Sequence, residues 1–235
     1  MYRSLDANRI IDTAEQLGKR ITERFPASSL SKVAGELLSE VRQAADTAKW
    51  LSAPHRNIRI VSGVVVVLLF ALVISTLLLL NRRVELFSSV SDFLQGLDAA
   101  VNELVLIGAA SYFLLNWESR RKRKRALRAL HVLRSMAHIV DMHQLTKDPE
   151  RLMGPGQNTP SSPVRKLTAF ELTRYLDYCS EMLSVISKVA ALYVQEFDDP
   201  VTLAAVNEVE NLTGSLSQKM WQKIIILDRA LPESS

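Results

Sequence analysis

Asp98, Asn102 and Glu103 are the residues of this chain whose setting most invites chemistry. They sit in the first third of an otherwise apolar stretch, residues 97–117, which beyond Leu104 is interrupted only by Ser111 and Asn116. Taken as a helix starting at a membrane boundary, the stretch carries Glu103 about 9 Å below that boundary, from six residues at about 1.5 Å each. An ionisable group at such depth is costly and marks an ion path, a proton relay or a polar contact between helices. Gly108, Ala109, Ala110 and Ser111 follow, small enough to let helices approach closely. Two readings stand side by side. In one, several copies of the helix line a polar path. In the other, a shifted register puts Glu103 near the headgroups, or it makes a single helix contact.

A second group is purely cationic. Arg120, Arg121, Lys122, Arg123, Lys124, Arg125 and Arg128 follow Trp117 almost directly. A cluster of this kind beside a membrane helix belongs on the cytoplasmic side. It also suits anionic lipid headgroups, at about 1 kcal/mol per cation near the surface. Fixing the topology would by itself account for it.

The remaining candidates read more plainly. His131 and His138 are seven apart and share a helix face, but Arg134 lies between them and discourages a metal cation. His143 points elsewhere, so with Asp141 these residues read as solvated helix surface or as polar groups at an interface. Cys179 lies mid-helix in YLDYCSEM, without a nucleophile turn, and reads as a buried structural thiol. Glu181, Glu196, Asp198 and Asp199 have no spacing that pairs an acid with a base. The sequence holds no phosphate loop, GxGxxG, HExxH, GxSxG or paired-cysteine zinc spacing. The expectation is a protein that is not an enzyme and carries no cofactor or metal. Asn211-Leu212-Thr213 matches a glycosylation signal, which a cytoplasmic location would make irrelevant.

These residues need elements to hold them. Residues 61–80 are an uncharged apolar run of 20, long enough as a helix to cross about 30 Å of hydrocarbon. Residues 97–117 form a second, less pure candidate. Charge decides between one crossing and two. Residues 58–128 hold ten Lys/Arg against five Asp/Glu, whereas residues 129–235 hold ten against thirteen. Were only the first run to cross, the basic cluster would lie opposite the N-terminus. With two crossings it shares the cytoplasm with Arg42, Lys49, Arg56 and Arg59, leaving Arg82 and Arg83 outside. The acidic C-terminal balance argues against nucleic acid as a ligand. One cysteine suits a reducing compartment.

Outside the membrane the pattern is helical. Residues 5–25 place Leu5, Ile10, Ala14, Leu17, Ile21 and Phe25 at three- to four-residue spacing, and Pro26 breaks the run. Ser28 and Ser29 offer N-caps for a helix to about residue 51, with Leu30, Val33, Leu37, Val41, Ala44, Ala48 and Leu51 on one face. This pair packs on other helices or lies on lipid. Val84, Phe87, Val90, Leu94 and Leu97 suggest a short interfacial helix. From Gly108 to Pro149 there is neither Gly nor Pro, so the second span is expected to continue as a helix, with Leu127, Leu130, Leu133, Ala137 and Val140 on one face. Thr168-Ala169-Phe170-Glu171 has the form of a capping box. The helix it opens is expected to bury Phe170, Leu172, Leu176, Met182, Leu183, Ile186, Ala190 and Tyr193. Asp199-Pro200 starts a last helix that Gly214 is expected to kink.

The reading is an all-α protein: a two-span transmembrane helical hairpin with a cytoplasmic helical bundle. Residues 1–57 supply cytoplasmic amphipathic helices. Residues 58–118 form the hairpin, with spans at about 60–80 and 97–117. Residues 119–145 make a basic juxtamembrane helix, 146–166 a flexible loop, and 167–235 a helical pair completing the bundle. The expected place is the plasma membrane (a bacterial inner membrane), multi-pass, with both termini cytoplasmic. The expected role is a non-enzymatic scaffold or interaction module. Its partners are the lipid bilayer, further copies of itself and a cytoplasmic protein. The alternative is an oligomeric ion channel or ion-responsive pore, with the polar residues of the second span facing its axis.

Overall fold

A computed structural model describes residues 4–26, 28–54, 56–83, 90–147, 149, 160, 167–195 and 197–230. Among them are seven helices and no strand: α1 (Ala7–Arg24), α2 (Ser29–Ser52), α3 (Arg56–Arg83), α4 (Val90–Leu115), α5 (Trp117–Leu145), α6 (Ala169–Gln195) and α7 (Pro200–Ala230). They fall into two compact units. One joins Met1–Ala53 to Arg125–Ser235, and the other is Pro54–Lys124.

The first unit is a five-helix bundle built around α6. Most helices of a bundle are apolar along one stripe, but α6 is buried on several sides. Tyr175 with Leu176, Met182 with Leu183, and Val185 with Ile186 are sequence neighbours that are all buried. Neighbours on a helix point about 100° apart, so only an element covered all round buries both. α1, α2 and α7 pack directly on α6, and α1 packs on α2. From α5, the seam Ala126, Leu130, Leu133, Ala137 and Val140 joins the same core. The N-terminal helices thus lay their apolar stripes (Ile10, Ala14, Leu17 and Ile21; Leu30, Val33, Leu37, Val41 and Ala44) on protein.

Local chemistry sets the helix ends. The Asp6 carboxylate accepts from Asn8 N–H at 2.9 Å, and the Ser28 hydroxyl accepts from Ser31 N–H at 3.1 Å. Thr168 and Glu171 close a reciprocal capping box, with N–H to side-chain oxygen distances of 2.8 and 3.2 Å. Those donors hold the Glu171 carboxyl below its usual range, the Thr168 backbone N–H foremost. Buried Asp199 accepts from both the N–H and the hydroxyl of Thr202, at 2.9 and 2.8 Å.

Cross-links fix the helix directions. The Leu5 N–H donates to Gln195 Oε1 at 2.8 Å, Arg20 pairs with Glu181, and Phe25 meets Tyr175 edge-on with ring centres 5.6 Å apart. α1 therefore runs antiparallel to α6, and α2 runs back beside it. At one end of the bundle the Arg125 guanidinium lies 4.5 Å above the Trp50 ring. This contact sets the last turns of α2 beside the point where α5 enters the bundle.

The second unit contains α3 packed on α4, followed by the first two turns of α5. Among the described residues one helix is long and apolar enough to cross a membrane, Leu94–Leu115, with a mean hydropathy of 1.4; by the same measure the apolar part of α3 is Ile60–Ser75.

Three details depart from the sequence expectations. The interfacial helix falls partly on residues 84–89, outside the described residues, and from Val90 onward the chain is already α4. The α4–α5 passage is not one uniform helix, because Asn116 forms a turn. Its side-chain amide donates to Tyr112 O at 2.8 Å and competes with its own backbone N–H for that carbonyl. Phe170 is 61% exposed, because its place in the first turn of α6 projects beyond the core; Arg24 lies over its ring. Most of the expected loop at 146–166 lies outside the described residues.

Candidate functional site

Asp98, Asn102 and Glu103 sit on the N-terminal and middle turns of α4. Asp98 and Asn102 are one turn apart on one face, Glu103 lies next to Asn102, and all three are exposed. α4 presents Val101, Leu104, Val105 and Leu106 outward around them. Further along, the Ser111 hydroxyl is buried without a hydrogen-bond partner among the described residues. A polar atom in that state is costly, and more so where water is excluded.

The seven cations of the basic run are not equivalent. Lys122 is turned inward, with its side chain 10% exposed and 3.2 Å from Glu118. Arg120 lies over the Phe113 ring at 4.8 Å, and Phe113 meets Trp117 edge-on at 5.6 Å. Arg125 covers Trp50, and Arg123 is half-buried. Arg121, Lys124 and Arg128 are exposed on α5 at i, i+3 and i+7, one face of the helix.

Beside this run, α3 and α4 leave an apolar groove of about 350 Å³. It is lined by Asn57, Val61, Ser62, Val65, Leu114 and Trp117.

The bundle holds a polar cluster that spacing did not reveal, because its members come from three helices. Lys223 of α7 donates to Gln144 Oε1 at 2.6 Å and to the Gln144 and Lys147 carbonyls at 3.3 Å. It caps the C-terminal end of α5, where unsatisfied carbonyls gather partial negative charge. Gln144 donates on to Asp141 at 2.8 Å, and the Tyr175 hydroxyl donates to His143 O at 3.4 Å. Burial raises the Tyr175 pKa above its usual range and pushes the Cys179 thiol up to about 12. A fully buried, protonated Cys179 is a packing residue rather than a nucleophile. His131 and His138 are exposed, and His143 contacts Ile139 O at 2.8 Å. Among the described residues no three His, Cys, Asp or Glu side chains gather as a metal site would require. Thr213 of the glycosylation signal is buried, and its hydroxyl donates to Val209 O.

No known protein family, characterised protein or solved structure matches this chain. Function is therefore argued from its own residues.

Proposed function

We propose that the protein is a membrane-anchored, self-associating interaction module whose helical bundle hangs from a two-span hairpin. One observation carries this reading: the bundle is assembled from both sides of residues 54–124, and Trp50 meets Arg125 at one end of it. A folded body occupies one side of a membrane. A segment that leaves it and returns to the same end crosses an even number of times. If α4 crosses, an even number calls for a second crossing, and the apolar α3, which packs on α4, is our choice for it. The basic run favours a cytoplasmic position for both termini in this reading. The bundle offers exposed helix surfaces and cross-linked helices, which suit binding.

The topology is open to labelling. Ser88→Cys should react with a membrane-impermeant maleimide added outside intact cells. Ser4→Cys and Ser234→Cys should react only after permeabilisation. Native Cys179, being buried, adds no background. Labelling of position 4 or 234 from outside, or none at 88, would refute the hairpin.

Self-association follows from α4. Asn102 and Glu103 exposed on an apolar helix are costly in lipid, and contact with another copy relieves that cost. The same residues favour a second reading, an oligomeric channel with Asp98, Asn102 and Glu103 facing its axis. Light scattering in nanodiscs separates the two. A dimer is the expected result; a closed ring of four or more copies would favour the channel, and a monomer would overturn self-association.

A further inference from the structure

We infer that the groove between α3 and α4 is a binding site for an anionic phospholipid of the cytoplasmic leaflet. The inference rests on the hairpin topology proposed above. The groove walls are Val61, Val65, Leu114 and Trp117, a surface for an acyl chain; its polar lining residues, Asn57 and the buried Ser62, both lie in the first two turns of α3. A groove of about 350 Å³ is at the small end of ligand-sized pockets and suits part of one chain rather than a whole lipid.

A second, independent observation supplies the headgroup contact. Trp117, Arg121 and Lys124 follow at spacings of four and three residues, so they share one face of α5, and all three are exposed. The groove wall at Trp117 thus continues, one and two turns on, into two cations. Trp117 is 42% exposed, with its ring set by the edge-on contact to Phe113. Tryptophan favours the headgroup level, and the cations beyond it meet phosphate. Lys122 and Arg120 are engaged elsewhere, with Glu118 and Phe113, which leaves Arg121 and Lys124 for the headgroup. The site thus selects a lipid with an apolar tail and a net negative headgroup, and a zwitterionic lipid meets only half of it.

The test uses the full chain with Trp50→Phe and Trp221→Phe, leaving Trp117 as the sole tryptophan, in nanodiscs of equimolar anionic and zwitterionic lipid. Either phosphatidylglycerol or phosphatidylcholine carries brominated chains, which quench a tryptophan in contact. Two juxtamembrane cations correspond to a preference of roughly 30-fold for the anionic lipid, so brominated phosphatidylglycerol should quench Trp117 far more strongly. In Arg121→Gln/Lys124→Gln the two lipids should quench alike. Equal quenching without those substitutions would overturn the site while leaving the hairpin standing. A preference that survives the double substitution would also overturn it. Quenching by neither lipid would take Trp117 out of the membrane altogether and remove the hairpin reading with it.

Discussion

Replacing residues 54–124 by a Gly/Ser linker of about eight residues should yield a water-soluble, helical bundle that melts cooperatively. The linker reaches at most about 28 Å extended, and the ends it joins carry Trp50 and Arg125 in contact. Every residue of the continuous core lies in Met1–Ala53 or Arg125–Ser235, so the excision removes none of it. It does remove the outward Val64, Val67, Leu68, Leu72, Leu104 and Leu106, which a soluble protein would not carry. The effect is all-or-none: from a chain extracted only by detergent to one recovered in buffer. Circular dichroism and sedimentation would read it. An aggregated product would mean that the bundle depends on the excised segment.

The second large effect concerns Cys179. In the folded chain at pH 8 it should resist maleimide, and it should react fully in denaturant. Raising a thiol pKa from 9.0 to about 12 lowers its thiolate fraction roughly a thousandfold, before its complete burial is counted. The same shift sets an alkaline limit on stability. The unfolded thiol loses its proton from about pH 9, whereas the folded one holds it to about 12. The contribution is therefore complete below pH 9 and is lost as pH rises through that window, by about 1.4 kcal/mol per pH unit. Tyr175 and Tyr193, both raised by burial, act in the same direction at higher pH. Cys179→Ala should flatten the loss between pH 9 and 10.5 in denaturant titrations. An unchanged slope, or rapid labelling of the folded protein, would contradict the buried thiol.

Local signals in the sequence carried far. The stripes Ile10, Ala14, Leu17, Ile21 and Leu30, Val33, Leu37, Val41 are periodic, and periodicity survives whatever covers it. Caps such as Ser28 and Thr168 act on their own next turn and need no tertiary partner. What could not be read was which elements meet. The central place of α6 shows as an excess of buried positions, Tyr178, Val185, Val189 and Leu192 among them, beyond what one stripe needs. A stripe-based reading credits only one side. Lys223 looks like any surface lysine until the end of α5 is set against it. Lys122 looks like its six cationic neighbours until its helical phase turns it inward. The groove at Trp117 exists only between two helices about 50 residues apart in sequence.

A core split by an inserted segment has a consequence for biosynthesis. α1 and α2 leave the ribosome with their apolar stripes uncovered, and α6, on which both lie, ends some 140 residues after α2 ends. At translation rates of about 5–20 residues per second, that wait lasts on the order of 10–30 s. If residues 54–124 form the proposed hairpin, only a chain whose intervening segment has returned to its starting side can bring α6 back to them. A chain that inserts the wrong way keeps α1 and α2 unpaired and stays a target for chaperones and proteases. On the two-span topology proposed above, closure of the bundle would act as a proofreading step on membrane insertion.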